Sequence, residues 1–201
     1  MNLLGAIIKK IYRIINCFYY KLKLKHVGCN TLIDRPINII GANNIIVGKN
    51  VTILKGVHLG ACALSKCKSP KLVIGNNCTL NHFNEIFAVS SIVLEDHVLT
   101  ADRVYITDNI HGYEDPSTPI KRQPIETICK EVRIGEGSWL GINVCVLGAS
   151  IGKHCVIGSN AVVTSDIPDY CVAVGMPARI IKRYDFDCQE WRKTNPDGTF
   201  K

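Results

Sequence analysis

At 201 residues, 47% of them hydrophobic and 20% charged, the chain has the make-up of one soluble globular domain with short terminal additions. No apolar stretch is long enough for a membrane span, and the ten cysteines include no Cys-x-x-Cys pair. A reduced, cytoplasmic protein is therefore expected rather than a disulfide framework. The net charge of +7 is not accompanied by an aromatic–basic motif, so nucleic acid is not an expected partner.

In chain order, the first element is an amphipathic helix in an N-terminal unit, residues 1–30. Leu4, Ile7, Ile8, Ile11, Ile14, Ile15 and Phe18 recur at helical spacing, Lys9, Lys10 and Arg13 lie elsewhere, and Lys21, Lys23 and Lys25 follow. The favoured reading is a cap over the open end of the repeat described next, because solenoids need capped ends. The second reading is peripheral contact of residues 1–25 with an anionic membrane at its inner face.

From Val47 an aliphatic residue returns every sixth position in blocks of three. The blocks are Val47/Ile53/Leu59, Ile74/Leu80/Ile86, Leu94/Thr100/Ile106, Ile134/Leu140/Val146 and Ile151/Ile157/Val163. The second position of each six is often Gly, the fourth Asn, and the fifth small or β-branched; Cys78 and Cys155 fill that fifth slot as small hydrophobes. Gly and Asn accept a left-handed backbone at little cost, and the residues between them suit a short strand. Three strand-plus-corner units make a triangular coil, and stacked coils share one apolar core. The fold class is thus all-β, a parallel β-helix over residues 31–183, with a polar tail at 184–201. Extra residues fall between blocks, at 65–73, 92–93 and 112–133. The longest predicts a protruding loop at about 112–131, opening immediately after His111.

Three motifs carry a resemblance: Val104-Tyr-Ile-Thr-Asp-Asn-Ile-His111-Gly, Ile134-Gly-Glu-Gly-Ser-Trp139-Leu-Gly141 and Val172-Ala-Val-Gly175-Met-Pro177-Ala-Arg179-Ile-Ile-Lys182. Together with the repeat they are similar to the hexapeptide-repeat acyltransferases, which form left-handed β-helices. The nearest branch is the galactoside, maltose and virginiamycin-type O-acetyltransferases and polysaccharide O-acetyltransferases. The resemblance covers roughly residues 45–183. It implies acetyl transfer from acetyl-CoA to a sugar hydroxyl, in surface-polysaccharide or lipopolysaccharide synthesis, by a homotrimer with sites between neighbouring β-helices.

The resemblance assigns His111 as general base, a role suited to imidazole because it titrates near neutral pH. Asp108, Glu114 or a backbone carbonyl is a candidate to orient it. Asn81 matches an asparagine of the family's acceptor site, while Asn84 reads equally as an acceptor contact or as an internal asparagine. The acid that galactoside enzymes place next is replaced by Phe87-Ala88-Val89. Trp139 is expected to line the acyl or pantetheine channel, as a contact of both substrate and coenzyme, with Gly141 admitting the coenzyme and offering an amide to the oxyanion. Ile142, Ser159, Ala161, Thr164 and Ser165 align with the coenzyme-contacting edges. Arg179 and Lys182 stand where the resemblance puts the 3′-phosphate. No metal is expected.

Three alternatives remain open from the sequence: an N-acetyltransferase acting on an amino-sugar or antibiotic, a zinc carbonic anhydrase of the γ type, and a non-catalytic repeat module.

Overall fold

The computed structural model describes residues 3–195 and 197–201, with side chains from residue 7 onward, so Leu4 of the helical stripe lies outside the described side chains. Helix α1 (Leu3–Lys21) precedes a first coil built from β1 (His26–Val27), β2 (Leu32–Ile33) and β3 (Asn38–Ile40). The second coil holds β4 (Ile45–Val47), β5 (Thr52–Ile53) and β6 (His58–Ala61); the third holds β7 (Lys71–Ile74), β8 (Thr79–Leu80) and β9 (Glu85–Ala88). The fourth is β10 (Ser91–Leu94), β11 (Leu99–Thr100) and β12 (Tyr105–Thr107), after which β13 (Asn109–His111) and β14 (Ile125–Thr127) form an antiparallel arm. Coil five is β15 (Val132–Ile134), β16 (Trp139–Leu140) and β17 (Cys145–Leu147), and coil six contains β18 (Val156–Ile157) and β19 (Val162–Val163). The chain closes with β20 (Cys171–Val174), β21 (Arg179–Asp185) and β22 (Glu190–Lys193).

Three parallel sheets form the faces of a prism. Face A is ordered β1-β4-β7-β10-β15, face B runs β2-β5-β8-β11-β16-β18-β20 and then turns antiparallel through β21 and β22, and face C is β19-β17-β12-β9-β6-β3. This is the left-handed β-helix of the repeat. Its inward column on face B, Ile33, Ile53, Leu80, Leu140 and Ile157, is at most 1% exposed, and Thr100 stands fully buried in the same column. Each such aliphatic burial contributes about 1.5–3 kcal/mol.

The structure revises the expected boundaries. A coil precedes Val47, with Val27 and Ile33 buried and Ile39 partly so, so the β-helix begins at His26 rather than at residue 31. The two-residue insertion sits at 89–90, not 92–93, because Ser91–Leu94 is in register with Lys71–Ile74. Likewise Lys71–Ile74 and Val132–Ile134 are strands, so the other insertions occupy 62–70 and 108–131.

The corners divide the work between Gly and Asn differently from expectation. Left-handed residues are the fourth-position ones: Asn50, Asn77, His97 and His154 at one corner, Arg103, Asn143 and Asn160 at the next, all with φ between 51° and 62°. Their side chains form ladders, Asn30 to Asn50 to Asn77 at 3.0 and 3.1 Å, and Arg103 to Asn143 to Asn160 at 2.8 and 2.9 Å. Second-position glycines instead permit close approach between coils. A Cβ on Gly75 would lie 2.6 Å from Asp96 Oδ1 and 2.7 Å from the Glu95 carbonyl carbon.

Helix α1 crosses the first coil and pairs with its exposed edge. Asn16 both donates to the Ile33 carbonyl (2.9 Å) and accepts from the Ile33 amide (2.8 Å). Arg13 donates to the Asn30 and Val51 carbonyls, and Cys17 is buried beside Gly28. The face turned to the coil is therefore the polar and small one, and the isoleucine stripe points outward.

Candidate active site

His111 ends β13 opposite Ile125 of β14, at the base of the long insertion. Its side chain is exposed and makes no hydrogen bond or ion pair among the described residues. The arm overhangs face C and leaves a cleft of about 510 Å³ lined by Glu85, Phe87, Tyr105, Thr107, Asn109 and His111, with Leu64, Ile110, Ile125 and Leu147 completing it. Burial, above all, raises the Tyr105 hydroxyl above the usual phenol range. Glu85 faces His58 across 3.5 Å on the same strand ladder.

Asp108 does not orient His111. It is fully buried, and its carboxylate accepts the amides of Val89 (2.9 Å), Ser90 (2.8 Å) and Ser91 (2.8 Å), plus the Asn109 side-chain amide at 3.2 Å. It ties the tight 89–90 corner to the root of the arm, while Ile128 donates to its carbonyl at 2.8 Å and fixes the returning strand. Thr107 and Asn109 reinforce that root through the Phe87 carbonyl. Glu114 is exposed in the loop beyond.

Asn84 is likewise corrected: it is fully buried and donates to the carbonyls of Asn81 (2.6 Å) and Ala101 (3.0 Å), so it holds a corner and contacts no acceptor. Asn81 is half-buried at that corner, between faces B and C, and is not among the residues lining the His111 cleft. Trp139 is 47% exposed on face B, in register with Leu99 and Val156. In one chain, then, His111 and Trp139 lie on different faces.

Two coenzyme positions are also revised. The Gly141 amide donates to the Ile157 carbonyl at 2.8 Å and is not available to an oxyanion; a Cβ there would meet Ser159 N at 2.8 Å. Its glycine serves coil stacking rather than ligand approach. Ala161 is fully buried, its amide bonded to the Gly158 carbonyl and its carbonyl accepting from Cys145. Ile142 is half-buried, while Ser159, Thr164, Ser165, Arg179 and Lys182 are exposed. Lys182 opposes Val172, which opposes Val156, which opposes Trp139. Face B thus aligns the tryptophan with the lysine, and Arg179 sits just after the cis peptide Met176–Pro177. Among the described residues no three His, Cys, Asp or Glu side chains converge on a metal-sized centre.

Of the cleft residues, Glu85 and Tyr105 have no role in the sequence reading, and Phe87 enters it only as the replacement of an acid. The signal was present: they flank the inward Ile86 and Ile106, so they must point outward on the face beneath the insertion.

No protein-family model matches the sequence. Over 168 residues, 81% of the chain and 83% of the relative, it is 34% identical to WbbJ of Escherichia coli, provisionally named a lipopolysaccharide biosynthesis O-acetyl transferase. The chain is a hexapeptide-repeat acetyltransferase. A provisionally named acetyltransferase of Mycobacterium tuberculosis is 38% identical over 72% of the chain, which spans about half of that protein, 52%. Among solved structures, the acetyltransferase fold is shared with the N-acyltransferase AntD of Bacillus cereus, crystallised with dTDP and 3-hydroxybutyryl-CoA (TM-score 0.69, 20% identity, 85% of this chain and 89% of that one). A hexapeptide-repeat acetyltransferase of Vibrio cholerae complexed with acetyl coenzyme A superposes with a TM-score of 0.57 at 22% identity, covering 83% and 74% of the two chains.

Proposed function

We propose that the protein transfers an acetyl group from acetyl-CoA to a sugar hydroxyl of a surface polysaccharide or lipopolysaccharide, with His111 as general base. The observation that carries this reading is an exposed imidazole, unencumbered by side-chain partners, on the rim of a largely apolar cleft into which Glu85, Tyr105 and Thr107 bring polar groups. His111 removes the hydroxyl proton as the oxygen attacks the thioester carbonyl; the tetrahedral adduct collapses, the C–S bond breaks, and the imidazolium returns the proton to the departing thiolate. No covalent enzyme intermediate is needed.

The separation of His111 from Trp139, Arg179 and Lys182 supports a composite site in a homotrimer. The arm and cleft of one subunit would meet face B of the next, which presents Trp139 to the acyl or acceptor channel and Arg179 and Lys182, with Ser159, Thr164 and Ser165 nearby, to the coenzyme. WbbJ's name supports a glycan hydroxyl as the acceptor class.

The test is thiol release from acetyl-CoA against a panel of hydroxyl and amino sugars. Turnover with a hydroxyl acceptor, reduced about 10²–10⁴-fold in His111→Ala with acetyl-CoA affinity retained, is the expected result. Near-normal turnover in that variant, or turnover only with amines, overturns the corresponding part of the proposal.

A further inference from the structure

Helix α1 turns opposite faces to the protein and to solvent. Arg13, Asn16, Cys17 and Tyr20 recur at one-turn spacing and engage the first coil. Diametrically opposite, Ile7, Ile8, Ile11, Ile14, Ile15 and Phe18 are between 46% and 65% exposed. A stripe this bare along about three turns is not explained by the fold, because removing it would leave the hydrogen bonds between the helix and coil one intact. A contiguous apolar stripe of this kind marks a surface that binds something.

Charge identifies the occupant. The segment before Asp34 contains six lysines and arginines and no acid. At helical spacing Lys10 and Lys21 border the stripe on one side and Tyr12 and Tyr19, each 47% exposed, border it on the other. Lys23 lies over the Tyr19 ring at 4.8 Å, and Lys25 follows it, exposed. Two copies packed stripe to stripe would bring two acid-free basic segments together. An anionic bilayer instead neutralises them, accepts the isoleucines among its acyl chains and suits tyrosines at the headgroup level. The helix is not apolar enough to cross.

We infer that the protein binds anionic membrane surfaces through the outward face of α1, the β-helix standing end-on. Because α1 covers the end of coil one, and coils repeat about 4.8 Å apart, the fourth coil, which carries His111, stands roughly 15 Å above coil one and farther still from the helix layer. The cleft is thereby held at a fixed height over the bilayer, open to a chain of sugars projecting from it.

Vesicle flotation of the full chain tests this. Wild-type protein is expected to float with vesicles of phosphatidylcholine containing phosphatidylglycerol about tenfold more than with phosphatidylcholine alone. Ile11→Asp/Phe18→Asp should abolish flotation, and Lys10→Gln/Lys21→Gln should weaken it, with melting temperatures unchanged because all four side chains are exposed. Failure of wild-type protein to float with the anionic vesicles overturns the inference, as does equal flotation with neutral ones. A change of oligomer mass in light scattering of the aspartate variant also overturns it, since the stripe would then be a subunit contact. Acetyl transfer to a soluble acceptor, assayed without vesicles, remains at the wild-type rate in all these variants. Its loss would bear on the catalytic proposal and not on this one.

Discussion

Removing the fully buried Asp108 carboxylate should destabilise the protein strongly. Three backbone amides converge on it, and those of Val89 and Ser91 are buried, whereas that of Ser90 is partly open to water. A hydrogen bond to a charged acceptor contributes about 1.5–3 kcal/mol, and a buried donor left without a partner incurs its full desolvation cost. Counting two amides as unrescued, Asp108→Ala should lose about 3–5 kcal/mol. In a chain of 201 residues that corresponds to a fall in Tm of roughly 8–15 °C. Asp108→Asn keeps one acceptor but turns an NH₂ group toward amide donors, so it should also melt early. Differential scanning calorimetry measures both, and hydrogen exchange should show amides 89–91 opening first. A melting point within about 2 °C of wild type for either variant would refute the reasoning. A steep loss of kcat in Asp108→Asn at unchanged Tm would return the residue to the role of orienting the base.

Other outcomes follow from the same geometry. Gly75→Ala places a Cβ against Asp96 and the Glu95 backbone and should cost about 1–3 kcal/mol in urea denaturation. An Arg179→Ala/Lys182→Ala variant should raise the KM for acetyl-CoA at least about tenfold with kcat at saturation unchanged, because both cations would bind ground and transition states alike. Steady-state kinetics over a wide range of acetyl-CoA checks this. Burial pushes the thiols of Cys78 and Cys155 up to about 11 from the ordinary 9.0. The folded form therefore holds those protons where the unfolded form has released them, and this contribution, intact below pH 9, is lost as pH rises toward 11. The unfolding free energy from urea titrations should fall between pH 8 and pH 10.5 by an amount on the order of 2 kcal/mol for each thiol. Under native conditions at pH 8, thiol reagents should modify the exposed Cys29 and Cys188 long before Cys78 and Cys155.

The coil architecture was legible because Ile53, Leu80 and Leu140 point inward at a fixed period and nothing else in the sequence shares it. Insertion positions were read a few residues late. Strands such as Ser91–Leu94 carry two inward residues, Ile92 and Leu94, and only the second falls on the six-residue period. The first coil escaped because its column is weak, Ile39 being only partly buried and Asn38 and Pro36 interrupting it. The position of His111 at the root of the arm was legible from its place before the insertion. The roles of Asp108, Asn84 and Gly141 were not, since each side chain or amide is engaged by a coil distant in sequence, from 16 to 19 residues away. The direction of α1 was also hidden: an apolar stripe in sequence does not reveal that Asn16 and Arg13 on the other side bind coil one.

The pairing of Asn16 with Ile33 has a further consequence. A stack of parallel strands is open at both ends, and an open strand edge is a template on which another chain can grow. At one end Asn16 occupies both hydrogen-bonding groups of Ile33, and the helix backbone, internally bonded, offers nothing for a further strand. At the other, β21 turns back antiparallel to β20 and β22 turns back on β21, so that a hairpin stands where the next coil would stack. Face B, the longest sheet, is thus stopped at both ends. The two additions limit the molecule to a discrete length and keep a self-complementary repeat from becoming a fibre.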